Sequence, residues 1–197
     1  DAVMQRADLR EVQLQCANLT RTQMQKADLR IAQMQSVIGV SAQLKGAALR
    51  GARMQGANFS DAQMLGVSLR KVRMQGAYFT RARMQNTTLN RTRLQGAFLG
   101  GAQMQGAYIR RTEIDDSTDL RDANLRGASL RSVEWPFDVF SQEQIDAVFG
   151  DQTVILQEGL KHPDWPEIDE FDWEEFESRW RSWQARIGFD PEDSATW

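Results

Sequence analysis

Residues 2–30 read Ala2-Val3-Met4-Gln5-Arg6-Ala7-Asp8-Leu9-Arg10-Glu11-Val12-Gln13-Leu14-Gln15-Cys16-Ala17-Asn18-Leu19-Thr20-Arg21-Thr22-Gln23-Met24-Gln25-Lys26-Ala27-Asp28-Leu29-Arg30. A large apolar residue stands at every fifth position, and Ala, Val or Thr stands two places before it. The pattern runs in 23 windows from Met4 to Ile114, slips by one residue around Asp116 and Ser117, and resumes at Leu120, Leu125, Leu130 and Trp135. The centre is Leu, Met, Phe, Ile or Trp in every window but one, where Gly39 takes its place. A period of five suits neither an α-helix at 3.6 nor a plain strand at 2, because either geometry would scatter these positions around its surface. The chain must therefore turn by a fixed angle every five residues. Four such turns return it above its start after about 20 residues, with successive coils about 4.8 Å apart as in any sheet. The small residue and the centre then both face the axis, and the interior fills as stacked columns.

The windows Ala7-Asp8-Leu9-Arg10, Ala17-Asn18-Leu19-Thr20, Ala27-Asp28-Leu29-Arg30, Ala57-Asn58-Phe59-Ser60 and Ala123-Asn124-Leu125-Arg126-Gly127 closely resemble the A-(D/N)-L-x-x motif of the pentapeptide-repeat family. The resemblance covers residues 1–135. It implies an all-β solenoid, a right-handed quadrilateral β-helix of nearly seven coils. It also implies a protein without catalysis, since the family is not known for any. The best-understood members bind DNA gyrase and related topoisomerases by imitating DNA with a strongly acidic solenoid surface.

A period of ten lies inside the period of five. All eight methionines, from Met4 to Met104, are centres of alternate windows, which predicts that opposite sides of the coil differ in pairs and that Met fills the core on two of them. Stepping by twenty sorts the outward positions. Gln15, Gln35, Gln55, Gln75 and Gln95 form one column and Gln5, Gln25, Gln85 and Gln105 another, placed for amide hydrogen bonds between coils. Glycines such as Gly46, Gly51, Gly56, Gly96 and Gly106 recur at the last position of the five and read as turn residues.

The formal net charge of −3 over 197 residues conceals a division. Residues 1–135 hold 20 basic against 11 acidic side chains, a net of +9, and residues 136–197 hold 4 against 16, a net of −12. Arg50, Arg53, Arg70, Lys71, Arg73, Arg91, Arg93, Arg110 and Arg111 fall along one edge of the expected coil, and between Arg30 and Arg111 the one acid is Asp61. Like charges about 5 Å apart repel by roughly 1 kcal/mol per pair in water. Such an edge favours an anionic partner, nucleic acid or an acidic membrane surface.

The composition changes after Trp135, and residues 136–197 form an acidic, Trp-rich capping segment with two expected helices. Ser141-Gln142-Glu143-Gln144 reads as a capping box opening a short helix to about Phe149, closed by Gly150. Asp172-Trp173-Glu174-Glu175 opens a longer one through about Ile187, with Gly188 as its stop. On that helix Trp173, Phe176, Trp180, Trp183 and Ile187 follow steps of three and four, an apolar stripe that needs a surface. Because an open solenoid end exposes core and unpaired backbone, the segment is expected to cap the last coils. Outward Tyr78, Phe98 and Tyr108 are the expected docking positions for the tryptophans, and a homodimer contact is the alternative.

No constellation supports catalysis, a cofactor or a metal. The one histidine, His162, lies in a Lys161-His162-Pro163 turn, and the one cysteine, Cys16, falls at an outward corner and excludes an internal disulfide framework. Asp115 and Asp116 sit at the slip in the repeat, where a solvated loop is expected. Neither a phosphate-binding glycine loop nor a zinc spacing occurs. No apolar run approaches the roughly 18 residues of a membrane span. Asp1 falls inside a repeat, so the sequence reads as a fragment; the expectation is a cytoplasmic protein, with anchoring through a segment upstream of Asp1 as the alternative. The leading functional reading is a non-catalytic scaffold with a protein partner and no small-molecule substrate. Anion binding at the basic edge is second, with the acidic segment screening that edge in cis. Topoisomerase modulation is third, disfavoured because the repeats carry the opposite sign of charge.

Overall fold

In the computed structural model, which describes residues 2–134, 140–156, 158–169 and 172–196, every fifth residue bends the chain. Except at the slip after Ile114, the residue two after each described centre has positive φ, between 48° at Arg111 and 75° at Gly51. The N–H three residues after a centre donates back to that centre's carbonyl, as from Ala7 to Met4 at 3.2 Å. A four-residue turn with positive φ only at its third position is type II, which favours glycine there. Nine windows supply glycine in the repeats, while others hold Arg, Lys, Ser, Asp, Asn, Cys, Glu or Ile in the same conformation.

Between turns the chain touches the next coil through parallel β-bridges twenty residues apart, such as Asp8 with Asp28 and Gln33 with Arg53. Four bridge columns rise along the molecule. Side one carries Gln23, Gln43, Gln63, Arg83 and Gln103; side two carries Asp8, Asp28, Ala48, Ser68, Thr88 and Tyr108; side three carries Gln13, Gln33, Arg53, Arg73, Arg93 and Glu113; side four carries Asn18, Ile38, Asn58, Tyr78 and Phe98. On side two the ladder widens into three short parallel strands, β1 (Thr88–Asn90), β2 (Tyr108–Arg110) and β3 (Ser129–Arg131). After the slip the register becomes 21, pairing Phe98 with Asp119 and Gln103 with Asn124. Asp115 organises the slip: its carboxylate accepts the Gly96 N–H at 3.0 Å and the Ser117 and Thr118 hydroxyls at 2.7 and 3.0 Å. Burial alone would raise its pKa, but these hydrogen bonds outweigh it and hold the carboxyl below its ordinary value.

Inside, Met24, Met34, Met54, Met64, Met74 and Met84 are fully buried and alternate with Leu29, Leu49, Phe59, Leu69 and Phe79. Thr87 and Thr92 replace Ala, and their hydroxyls donate to the carbonyls of Met84 and Leu69, both at 2.8 Å. Gly39 leaves room for the coil above: a Cβ there would lie 2.4 Å from the ring of Phe59, which stacks on Phe79 at 6.0 Å. The column of Gln15, Gln35, Gln55, Gln75 and Gln95 forms no amide ladder among the described residues: Gln35 donates to Gln33 of its own coil, and the side-chain carbonyls of Gln35, Gln55, Gln75 and Gln95 have no hydrogen-bond partner. In the other column glutamines do bond between coils, but diagonally. Gln5, Gln25 and Gln85 donate to Gln23, Gln43 and Gln103, eighteen residues on.

The expected last centre, Trp135, lies outside the described residues, yet the ladder runs on beyond it. Leu130 N–H donates to Phe149 C=O at 2.7 Å, Phe149 N–H to Ala128 C=O at 2.9 Å, and Ile155 N–H to Val133 C=O at 3.0 Å. Phe140, Ile145, Val148 and Val154 belong to the solenoid core. Helix α1 (Gln142–Asp146) lies across the end, and Gln144 donates to the carbonyls of Leu120 and Ala123, both at 3.0 Å. The capping box at Ser141 is present, but the helix stops at Asp146 and not near Phe149, because Phe149 is needed in extended form to pair with Ser129. Gly150 does not close the helix. It lies under Trp165, whose ring a Cβ would meet at 2.8 Å. Residues 140–156 thus complete the final coil, so removing residues 136–197 would bare its core rather than simply unscreen the basic edge.

Helix α2 (Trp173–Arg186) opens with the Asp172 carboxylate accepting the Glu175 N–H at 2.8 Å. It ends at Ile187, followed by Gly188 with φ of 65°. It lies on side two, with Phe176 and Trp180 buried. Phe189 seats against Gly106 and Gly127, where a Cβ would come within 2.9 and 2.7 Å of its ring. Among the described residues no helix is long and apolar enough to cross a membrane.

Candidate functional site

The nine cations expected along one edge do share it, the corner between sides two and three. Arg53, Arg73 and Arg93 are bridged in register on side three. Lys71, Arg91 and Arg111 occupy the left-handed corner position with φ of 60°, 57° and 48°. Arg50, Arg70 and Arg110 follow the buried centres of side two, in line with Arg10 and Arg30 below and with Arg131, the strand partner of Arg110, above.

The ends of this edge are neutralised and its middle is not. At the first coils the Arg10 fork closes on Asp8 with contacts of 2.8 and 2.6 Å, and Arg30 grips Asp28 at 2.6 Å. The hydrogen bonds from Arg10 pull the Asp8 carboxyl down to a pKa of about 2. Farther along, Arg93 meets Glu113 at 3.2 Å and Gln95 donates to the same carboxylate at 2.9 Å. Between them Arg50, Arg53, Arg70, Lys71, Arg73 and Arg91 are exposed, and no ion pair to any of them occurs among the described residues. Asp61 does not help, since it sits on the diagonally opposite corner and pairs with Arg81 at 2.9 Å. A groove of about 410 Å³ runs along the lower part of the edge between Arg10, Arg30, Arg50 and Lys71, with Glu11 as its one acid.

The three aromatic positions do not act together. Tyr78 and Phe98 stack on side four with centroids 4.7 Å apart and rings within 5° of parallel, exposed at 42% and 38%. Tyr108, ten residues beyond Phe98 and so half a coil away, is on side two under α2, against Trp173 at 4.9 Å and Trp180 at 6.0 Å. Burial there pushes its phenol above the ordinary pKa. Trp183 and Phe176 pack instead on Phe149, at 5.7 and 5.3 Å. The tryptophan stripe therefore covers the column of Tyr108 and Phe149, and the Tyr78–Phe98 pair stays open.

Three residues that were not singled out from the sequence fasten the cap. Arg131 is fully buried, 2.9 Å from the equally buried Asp151; it donates to the carbonyls of Asp172 and Asp169 at 3.2 and 2.5 Å and lies 4.6 Å over the Phe176 ring. Arg126 donates to the carbonyls of Thr196 and Ile187 at 2.8 and 2.9 Å, closing the C-terminal end of α2. Counting across the slip places Arg131 in the arginine column, which is the signal by which it could have been found; nothing in the sequence marks Asp151 as its partner.

The geometry of five-residue turns and twenty-residue bridges is matched by comparison with known proteins. The family model described as pentapeptide repeats matches eight copies over residues 1–36, 40–76 and 73–111. The chain belongs to the pentapeptide-repeat family. Its fold is accordingly a right-handed β-helix solenoid with helices at the C-terminal end. Among solved pentapeptide-repeat structures, Rfr23 from the cyanobacterium Cyanothece 51142 is 22% identical with a TM-score of 0.41, the match covering 54% of this chain and 62% of that one. HetL of Nostoc, involved in heterocyst differentiation regulation, is 23% identical, covers 82% of this chain and 83% of its own, and gives a TM-score of 0.33. Full-length QnrB1, a plasmid-mediated fluoroquinolone resistance protein, is 15% identical over 88% of this chain and 85% of that one, with a TM-score of 0.48. Likeness at this level says nothing of what this pentapeptide-repeat protein binds. No curated protein matches the chain.

Proposed function

We propose that this protein is a non-catalytic scaffold whose β-helix of nearly seven coils holds protein partners against its sides. The reading is supported by outward chemistry sorted side by side on a continuous ladder. One edge carries six exposed cations without ion-pair partners among the described residues, and the stacked pair Tyr78–Phe98 lies open on another side. Backbone pairing at each bridge fixes the spacing of these groups, so a partner meets a preformed surface and loses little entropy to ordering it. Topoisomerase inhibition by DNA mimicry gains nothing from this surface, because the open edge is cationic.

The experiment is affinity capture with the intact chain and two charge-altered chains, Arg53→Glu with Arg73→Glu and Tyr78→Glu with Phe98→Glu, each checked for fold by circular dichroism. The expected result is a set of captured proteins that each variant reduces selectively. A turnover activity abolished by one point substitution would overturn the reading.

A further inference from the structure

The basic edge shows, within one chain, what it takes as a ligand. Among the described residues four cations of these columns are held by carboxylates of the chain itself: Arg10 by Asp8, Arg30 by Asp28, Arg93 by Glu113 and Arg131 by Asp151. At Arg131 the ligand is more than a carboxylate. A polypeptide of the acidic segment runs past the guanidinium, adding the carbonyls of Asp169 and Asp172 as acceptors. The same column presents Arg70 three coils lower and Arg50 four coils lower, with no ion pair to either among the described residues.

Charge-assisted hydrogen bonds to carboxylates are the strong ones, and Arg suits them by its planar fork. Three coils of the middle stretch, about 10 Å along the axis at the usual strand spacing, place six cations on one corner. Single-stranded nucleic acid is bound by combining such a charge with aromatic platforms for its bases. This edge offers none: Tyr78 and Phe98 face another side and Tyr108 is under α2. An acidic membrane surface would be gripped more firmly with apolar groups to insert, and Ile31 is the one large apolar side chain lining the groove.

We infer that the stretch from Arg50 to Arg91 binds an acidic polypeptide segment of a partner protein, its carboxylates entering where the columns lack acids of their own. This rests on the scaffold reading and narrows it to one surface and one partner chemistry.

The test is fluorescence anisotropy of a labelled twelve-residue glutamate peptide titrated with the intact chain. A twelve-nucleotide oligo-dT is the competitor, and vesicles containing phosphatidylserine are examined separately by co-sedimentation. The expected affinity falls about tenfold or more between 50 and 300 mM salt, because exposed charges are screened over that range. Arg53→Glu with Arg73→Glu weakens binding at least tenfold, and Arg53→Gln with Arg73→Gln by an intermediate factor. Arg21→Glu with Arg83→Glu, the same charge change on other sides, costs less than twofold. Equal losses in the two Glu pairs, or no peptide binding at all, would overturn the inference. So would oligo-dT or vesicles that bind more tightly than the peptide and depend on Arg53 and Arg73. Any of these failures leaves the scaffold reading standing on the side-four aromatics, whereas a turnover activity would remove that reading without touching the peptide measurement.

Discussion

Arg131 and Asp151 face each other at 2.9 Å with neither side chain accessible to solvent, joining the arginine column of the repeats to the acidic segment that covers them. Removing one member of a buried pair leaves the other charge uncompensated, at a cost of about 3–5 kcal/mol. Asp151→Ala and Arg131→Met are each expected to lower unfolding free energy in urea by that amount. The double variant should be less destabilised than the sum of the two, since apolar replacements of a whole pair are often close to neutral. Additive losses would show that the pair does not act as a unit.

Gly39 and Phe59 are coupled in the same sense through packing. The missing centre at residue 39 is filled from the next coil, so Gly39→Ala must displace a ring 2.4 Å from the new methyl. Overpacking of this kind costs about 1–3 kcal/mol. In a Phe59→Ala background, which itself costs about 3–5 kcal/mol, the same substitution should cost nothing measurable. A thermal unfolding series over the four proteins reads the coupling directly.

Ile31 is a β-branched residue at the left-handed corner position, with φ of 63° and half its surface exposed. L-residues pay about 1–2 kcal/mol for that conformation, and Asn visits it more readily. Ile31→Asn is expected to raise stability by about 1 kcal/mol, seen as a higher midpoint in urea at unchanged slope. A loss of stability would mean that the apolar contact of Ile31 with the Gly51 corner outweighs the backbone strain.

The repeats are legible because five-residue spacing fits only a chain that turns at each window, and stepping by twenty puts the nine cations of the edge together from the sequence alone. The same arithmetic would have separated Tyr108 from Tyr78 and Phe98, since ten residues is half a coil. What spacing could not supply was contact across sequence distance. Gly39 looks like a defect until Phe59 is placed above it. The short helix loses its last turn because Phe149 is claimed by Ser129, and Arg131 is buried because a segment 20 to 41 residues later folds over it. Periodicity reports each residue's own direction; the cap has no period, so its partners had to come from the structure.

The Asp8–Arg10 pair yields a prediction in pH. The Arg10 guanidinium and N–H hold the Asp8 carboxyl at about 2, below its ordinary 3.8, so folding is favoured by the charged form. The sign follows from linkage: a folded-state pKa below the unfolded one contributes stability that is complete above pH 3.8 and is lost as pH falls toward 2. Carbon-detected NMR titration should place the Asp8 midpoint near 2. In Arg10→Gln the hydrogen-bonded fork is gone, and the midpoint should rise toward 3.8, with the pH dependence of the urea midpoint between pH 4 and 2 correspondingly flatter. Because both side chains are exposed, added salt should move the wild-type midpoint in the same direction by screening the pair. An Asp8 midpoint that stays near 2 in Arg10→Gln would assign the shift to the backbone instead and remove the pair from any account of acid stability.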